Sequence, residues 1–386
     1  MIYSVAINNF KSLVDFRMDL GKFTCLVGLN GSGKSTVLQA LDFLGNLMLD
    51  DLDMNRWLAS RRWKASDMLS KTGGARFRRN TIHFEVEMTV GEASIRWNGG
   101  FNCAESFLRC TLETIGTLDG VSLLRVRDGR YSLGDDTFRT IDFKYHGSIL
   151  SRLKETALKS FPLLQAVRKQ ISSIQSLDLL SPSQMKERAR ERSQVGLGGE
   201  GLAAYISSFS DGERCELVDR VRKLYPLLEA VEIVSLRSGW KDLVFSETYS
   251  GSLVSGARHI NDGLLRLVAI LAHLVKGERF LLFDEIENGI NPEIIEELMQ
   301  QLIEARQQVL ITTHSPMILN WLDDETARRS IVLLYRNDSG HTRSMRFFDL
   351  PGASEKLGVL GPGEVFLDTY LGEAVAHQIE SAKSEE

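Results

Sequence analysis

The chain has little of what would mark a secreted, membrane-spanning or metal-centred protein. Only four cysteines occur in 386 residues: Cys25, Cys103, Cys110 and Cys215. None forms a CxxC pair, and no histidine stands at metal-ligand spacing from them, which argues against a disulfide framework or a zinc ribbon. They read as reduced, mostly buried thiols. Long hydrophobic runs are missing too. The longest, Leu264 to Val275, is interrupted by Arg266 and His273 and is too short to cross a bilayer. Met1 to Ile7 lacks a basic start followed by an apolar core, so no signal peptide is expected, and the predicted location is cytoplasmic with no membrane partner. Positive charge is not in excess. A net charge of −5 argues against a wholesale nucleic-acid coat and leaves room for a local basic patch. No heptad register persists over several repeats, which excludes a long coiled coil. What remains, 43% hydrophobic and 25% charged residues, suits one large folded domain or two.

One stretch organises the rest. Gly28-Leu29-Asn30-Gly31-Ser32-Gly33-Lys34-Ser35-Thr36 follows the apolar run Phe23 to Val27. After it comes a helical pattern with Val37, Leu38, Leu41, Leu44 and Met48 on one face. Strand, glycine-rich loop and helix carrying GxxxxGK[ST] is the setting of a P-loop. Glycines let successive backbone N–H groups curl around a phosphate, and a helix starting at Lys34 turns its positive dipole end to the same anion. Lys34 is expected to reach the β- and γ-phosphates, and the Ser35 hydroxyl to ligate Mg²⁺. Asn30, Gly31, Ser32, Gly33 and Thr36 complete the expected nucleotide contacts.

A second acidic element lies far downstream. Arg279-Phe280-Leu281-Leu282-Phe283-Asp284-Glu285 is an apolar strand ending in two carboxylates. A buried strand that stops at an acid places it at the carboxyl edge of a parallel sheet, where ligands collect. Asp284 is the expected Mg²⁺ partner, together with Ser35, and Glu285 the expected base for the attacking water. Val309 to Thr313 predicts the next strand, with His314 at its tip and Ser315-Pro316 opening a helix. His314 therefore reads as a γ-phosphate sensor at the same sheet edge.

Between these elements the sequence changes character. From Arg56 to Arg79 eight basic residues face the single acid Asp67, with Trp57 and Trp63 interleaved. This stretch is either a phosphate-backbone contact, making DNA a candidate partner, or a solvated loop with its tryptophans in the core. Thr81 to about Phe143 alternates like short strands, examples being His83 to Met88, Ala93 to Trp97, Val121 to Val126 and Thr140 to Phe143. From Ile149 the pattern turns helical, until the polar segment Ser181 to Gly201. Ile331 to Tyr335 and Arg343 to Phe348 are expected as edge strands, and Ser381 to Glu386 as a disordered end.

Several of these motifs together resemble a known family. The opening Asn9-Phe10-Lys11-Ser12 turn before an early P-loop resembles the ATPase heads of RecF, SMC and OLD-like proteins. Asp284-Glu285-Ile286-Glu287-Asn288-Gly289 and Thr313-His314-Ser315-Pro316 look like the Walker B/D-loop and H-loop of the OLD and RecF-like ABC-type ATPases. The resemblance implies that ATP is the nucleotide and that Lys11 lies beside it. It also implies a signature motif that reads the γ-phosphate of ATP bound to the opposite subunit. His259 to Arg266 precedes an apolar helix leading into the Walker B strand, so Asn261, Asp262 and Gly263 are the signature candidates. Asn261 stands where the family usually has serine, and an Asn amide can donate to a phosphate oxygen. The rival, Ser210-Asp211-Gly212-Glu213, lacks that helix-then-strand order and reads as a helix cap.

The fold class expected is α/β, a P-loop NTPase of ABC-ATPase head type. Its core would comprise residues 1–48 and 220–350, with a basic loop and antiparallel β lobe at 49–148. A helical insertion at 149–219 and a C-terminal segment at 351–386 complete the layout. OLD nucleases add a Toprim domain after the ATPase, and Asp349 to Glu386 is too short for one, so a stand-alone head is expected. Such heads resemble the ATPase components of prokaryotic anti-phage systems such as Septu, PARIS and retron-associated modules. The resemblance implies a homodimer closing around ATP, with higher oligomers open, and a separately encoded nuclease or toxin as partner. The alternative is a RecF-like ATPase of DNA repair. A transporter subunit is disfavoured by the atypical signature and the large insertions.

Overall fold

The computed structural model describes residues 1–49, 54–71, 80–104, 108–135, 137–177, 180–190, 196, 198–277 and 280–376. Arg76, Arg78, Arg79, Arg192, Arg279, Ser381 to Glu386 and the side chain of Arg56 lie outside the described residues. By internal contacts the chain forms two units, residues 1–175 with 324–386, and residues 176–323.

The first unit begins with an antiparallel hairpin of β1 (Ile2–Asn8) and β2 (Phe16–Asp19). β3 (Phe23–Val27) follows and is buried along its whole length. The other edge of β1 pairs with β4 (Thr81–Val90), which continues through β5 (Ala93–Asn102) and β6 (Arg109–Thr117). β7 (Ser122–Arg127), β8 (Arg130–Leu133) and β9 (Arg139–Thr140) finish an eight-stranded antiparallel sheet, ordered β2-β1-β4-β5-β6-β7-β8-β9. Period-two patterning explains it. On β4, Ile82, Phe84, Val86 and Met88 are buried, while Glu85 and Glu87 on the other face form ion pairs with Arg17 and Arg96. The strand expected at Thr140 to Phe143 is Arg139–Thr140 instead. Its partner β8 begins only at Arg130, after the Asp128-Gly129 turn, so residues 142 and 143 have nothing to pair with.

Helix α1 (Lys34–Asn46) buries Val37, Leu38, Leu41, Phe43 and Leu44, the stripe its sequence foretells. Phe43 meets Phe10 at 5.7 Å, Trp57 at 6.0 Å and Phe101 at 5.0 Å between ring centroids. The returning strand Ile331–Arg336 pairs in parallel with β3 and antiparallel with Thr342–Arg346. Expected as an edge, it lies between two partners, which fits the complete burial of Ile331 to Leu334.

In the second unit Phe280–Phe283 and Gln308–Thr312 pair in parallel, and both are fully buried. The helix Asp262–Val275 leads into the first of these strands, and the helix Ile295–Ile303 lies between the two in the chain. An antiparallel sheet is built from Leu228–Ser235, Trp240–Thr248 and Ser252–Gly256, with Ala189–Arg190 added to the middle strand. Among the described residues no helix is long and apolar enough to cross a membrane.

Candidate functional site

The P-loop belongs to the first unit. β3 delivers the chain into a loop where Gly28, Gly31 and Gly33 adopt φ of 146°, 78° and 114°. A Cβ on Gly28 would lie 2.2 Å from the Leu334 carbonyl oxygen, and Gly33 is equally constrained. A Cβ there would lie 2.3 Å from the Thr342 hydroxyl oxygen. Thr342 is fully buried; its hydroxyl donates to the Ser32 carbonyl at 2.9 Å and meets the Ser12 hydroxyl at 2.8 Å. Arg336 donates to the Gly31 carbonyl at 2.8 Å. These bonds engage loop carbonyls, whose lone pairs would otherwise repel a phosphate. Lys34 is buried, its ammonium donating to the Gly28 carbonyl at 2.8 Å and to that of Leu29 at 3.3 Å. Asn30, Gly31 and Ser35 are exposed, Thr36 half-buried and Ser32 buried. A glycine cradle with a lysine held inside it and a hydroxyl at its rim fits a magnesium-bound triphosphate.

Lys11 donates to Gln39 of α1 at 2.8 Å, and its ammonium sits 3.3 Å from the centroid of Trp63. The turn it belongs to also carries Ser12, so the Asn-Phe-Lys-Ser segment is tied to both the P-loop helix and the strand behind the loop. The basic stretch is less available than its composition suggests. Arg61 pairs with Asp42 of α1 at 2.7 Å in the interior, and Trp57 donates to the same carboxylate at 2.9 Å. A DNA contact through Arg61 is therefore corrected, because its charge is buried. Arg62, Lys64 and Lys71 are exposed.

The acidic elements belong to the second unit. Asp284 and Glu285 follow the last residue of their strand and are half-buried. The Thr312 hydroxyl donates to Asp284 Oδ1 at 2.5 Å and accepts the Glu285 N–H at 2.9 Å. Glu285 has φ of 46°, a left-handed conformation unusual for a non-glycine residue. Its carboxylate accepts from the Asn288 side chain and lies 3.7 Å from His314 Nε2. Glu287 Oε1 accepts from the Thr313 hydroxyl at 2.9 Å and from the His314 N–H at 3.0 Å. Asp284, Glu285 and His314 are thus brought together at one edge of the sheet, beyond the ends of two paired parallel strands, as the spacing predicts. Among the described residues there is no cluster of three or more His, Cys, Asp or Glu placed to hold a metal.

Asn261 caps the helix Asp262–Val275, its side-chain oxygen accepting from the Leu264 N–H at 2.7 Å. Asp262 forms an ion pair with Lys186 at 2.7 Å. A Cβ on Gly263 would meet the Gly289 carbonyl at 2.7 Å, so only glycine allows the start of this helix and the Asn288-Gly289 turn to approach this closely. Arg266 donates to the Asn288 carbonyl at 3.0 Å. With Asp284, Glu285 and Asn288 it lines a cavity of about 80 Å³. The rival Ser210 caps the helix Asp211–Leu224 through a capping box with Glu213, the role its sequence suggests.

Comparison with known proteins fixes the family. Residues 84–320 match the family described as "AAA domain, putative AbiEii toxin, Type IV TA system". The chain belongs to this family. Residues 1–87 match the AAA ATPase domain family. An OLD nuclease of Thermus scotoductus is 28% identical over 211 residues, 48% of this chain and 36% of the nuclease, so the match spans about a third of that relative. An SMC head bound to the C-winged helix domain of ScpA aligns with a TM-score of 0.56 at 16% identity, over 90% of this chain and 98% of the head. The Pyrococcus furiosus SMC head with an extended coiled coil, bound to the ScpA C-terminal domain, gives 0.50 at 14% identity, over 92% and 99%. The family match makes the chain an AAA-domain protein, and the likeness to the SMC heads shows that it has the head fold.

Sequence reading missed the supporting residues of this AAA ATPase. Thr312, Thr342 and Arg336 lack any motif of their own. Thr312 stands two residues before His314 and could be flagged by that spacing, whereas Thr342 and Arg336 reach the P-loop only through folding.

Proposed function

We propose that the chain hydrolyses ATP and works as a switch governing a separately encoded effector, a nuclease or toxin, in anti-phage defence. In this reading Lys34 holds the β- and γ-phosphates, while Ser35 and Asp284 hold Mg²⁺, which neutralises charge as the terminal phosphate departs. Asn30, Gly31, Ser32, Gly33 and Thr36 bind the rest of the triphosphate, and Lys11 flanks it from the turn it ties to Gln39 of α1. Glu285 accepts the proton of the attacking water, and His314 senses the γ-phosphate. Asn261, Asp262 and Gly263 of a second copy complete each site, so ATP favours a closed homodimer and hydrolysis releases it.

The observation that carries this reading is the Glu285 carboxylate, held by Asn288 and 3.7 Å from His314 Nε2 beside Asp284. A base, a sensor and a metal-side carboxylate gathered at the end of a buried strand are what ATP hydrolysis needs. Support for an effector comes from the family description, which speaks of a toxin–antitoxin system, and from a relative that is a nuclease. The DNA-repair reading retains the exposed Arg62, Lys64 and Lys71 as its support.

Phosphate release by the purified protein tests the chemistry. Wild type should hydrolyse ATP, Lys34→Ala should lose ATP binding, and Glu285→Gln should bind ATP and stall. Normal turnover by Glu285→Gln would remove Glu285 as base. The same stalled variant, tagged and recovered from its host with ATP, tests the switch. Co-purification of a nuclease or toxin supports it; DNA with repair factors and no effector moves the function to repair.

A further inference from the structure

We infer that Thr312 is a positioning residue that sets both carboxylates of the hydrolytic centre at once. The inference rests on the ATPase reading above and deepens it. One hydroxyl makes two bonds of opposite sense, donating to Asp284 Oδ1 at 2.5 Å and accepting the Glu285 N–H at 2.9 Å. Thr312 itself is fully buried, the last residue of Gln308–Thr312, whose neighbour in the sheet ends one residue before Asp284. Its oxygen is therefore fixed by strand pairing and cannot follow a wandering loop.

Each bond has a separate consequence. The bond to Asp284 engages Oδ1 and fixes the rotamer of the carboxylate that would hold a metal. The bond to Glu285 secures a backbone that would otherwise resist its geometry. A left-handed conformation is disfavoured for a residue bearing a side chain, and it persists where the surroundings over-determine it. Here the Thr312 oxygen satisfies the Glu285 N–H in that conformation, and Asn288 holds the far end of the side chain. Glu285 thus emerges from a fixed backbone with a fixed carboxylate, which is what a base needs to meet one water in one place.

His314 follows two residues beyond the end of the strand that carries Thr312. Thr313 and the His314 N–H both bind Glu287, two residues beyond Glu285. The segment Asp284 to Glu287 is clipped to Thr312 and Thr313 at two points. Movement of His314 along the direction of that strand would be transmitted to Asp284 and Glu285 through the Thr312 hydroxyl.

The test is ATP turnover and its Mg²⁺ dependence in full-length wild type, Thr312→Val and Thr312→Ser. Valine keeps the shape and removes both bonds; serine keeps the hydroxyl. Thr312→Val should lower kcat about tenfold to a hundredfold and raise the half-saturating Mg²⁺, with the Kd for ATP within about twofold of wild type. Thr312→Ser should restore most of the turnover. A Thr312→Val protein that matches wild type in kcat and Mg²⁺ requirement overturns the inference. If valine prevents folding, Thr312→Ala replaces it, and equal turnover by the alanine and serine variants overturns the inference as well. Wild type that shows no hydrolysis at all would instead overturn the ATPase reading, a separate outcome.

Discussion

Asp42 and Arg61 form an ion pair of 2.7 Å whose side chains are only 5% and 2% exposed. Asp42 lies on the P-loop helix, so Arg61, from a stretch that composition left open between a DNA contact and a solvated loop, instead braces that helix. Removing one member of a buried pair strands the other charge. Arg61→Ala is expected to destabilise the protein by roughly 3–5 kcal/mol, read as a shift in the urea midpoint. Arg62→Gln, on the exposed side of the same turn, should shift it by less than about 0.5 kcal/mol.

Gly33→Ala should damage the P-loop directly. The backbone at φ 114° disfavours any side chain, and the added methyl would press on Thr342, which is held by Ser12 and Ser32. The expected outcome is at least a tenfold weaker Kd for ATP by calorimetry, with a lowered melting temperature. Unchanged affinity would mean that the loop does not hold the phosphates.

Asn261 caps its helix, and the signature role proposed for it is separable from that. Asn261→Ala should cost about 1 kcal/mol of stability through the lost bond to the Leu264 N–H. Asn261→Asp keeps an oxygen for that bond and loses the amide donor. It should therefore keep the melting temperature and lose ATP-driven dimerisation in analytical ultracentrifugation. Intact dimerisation in the aspartate variant would place γ-phosphate recognition elsewhere.

Glu113 supplies a pH dependence. It is 1% exposed, and burial pushes its carboxyl up to about 7, although the Ser148 hydroxyl, Trp97 Nε1 and Ile149 N–H all donate to it. The folded state thus holds this proton more tightly than the unfolded chain. Its contribution is full below pH 4.5, declines as pH rises through 7 and is constant above that. Between pH 5 and 8 wild type should lose roughly 3 kcal/mol relative to Glu113→Gln, measured as the difference in urea unfolding free energies. Parallel pH curves for the two proteins would assign the dependence to other groups.

The chemistry-bearing elements were legible in the sequence because each is local. A P-loop needs contiguous glycines before a helix, and a strand that ends in Asp284-Glu285 needs only its own apolar run. The same holds for the alternation of β4 and for the cap at Ser210, where Glu213 stands three residues on. Partner choice was not legible. Nothing in Ile2 to Asn8 says that β1 will pair with β4 as well as β2, and Ile331–Arg336 reads as an edge until β3 is found beside it.

Pairing is decided by surfaces that meet only after collapse, so no window of sequence contains it. The burial of Arg61 follows the same rule, because its partner lies 19 residues away on another helix. Thr342 reaches the Ser32 carbonyl across 310 residues. The sequence by itself determined the P-loop and the strand ending in Asp284-Glu285, since those are set by backbone conformation and residue type over a few positions. Only the tertiary structure decided which hydroxyls and guanidinium groups hold them in place, because a hydrogen bond is made by distance in space.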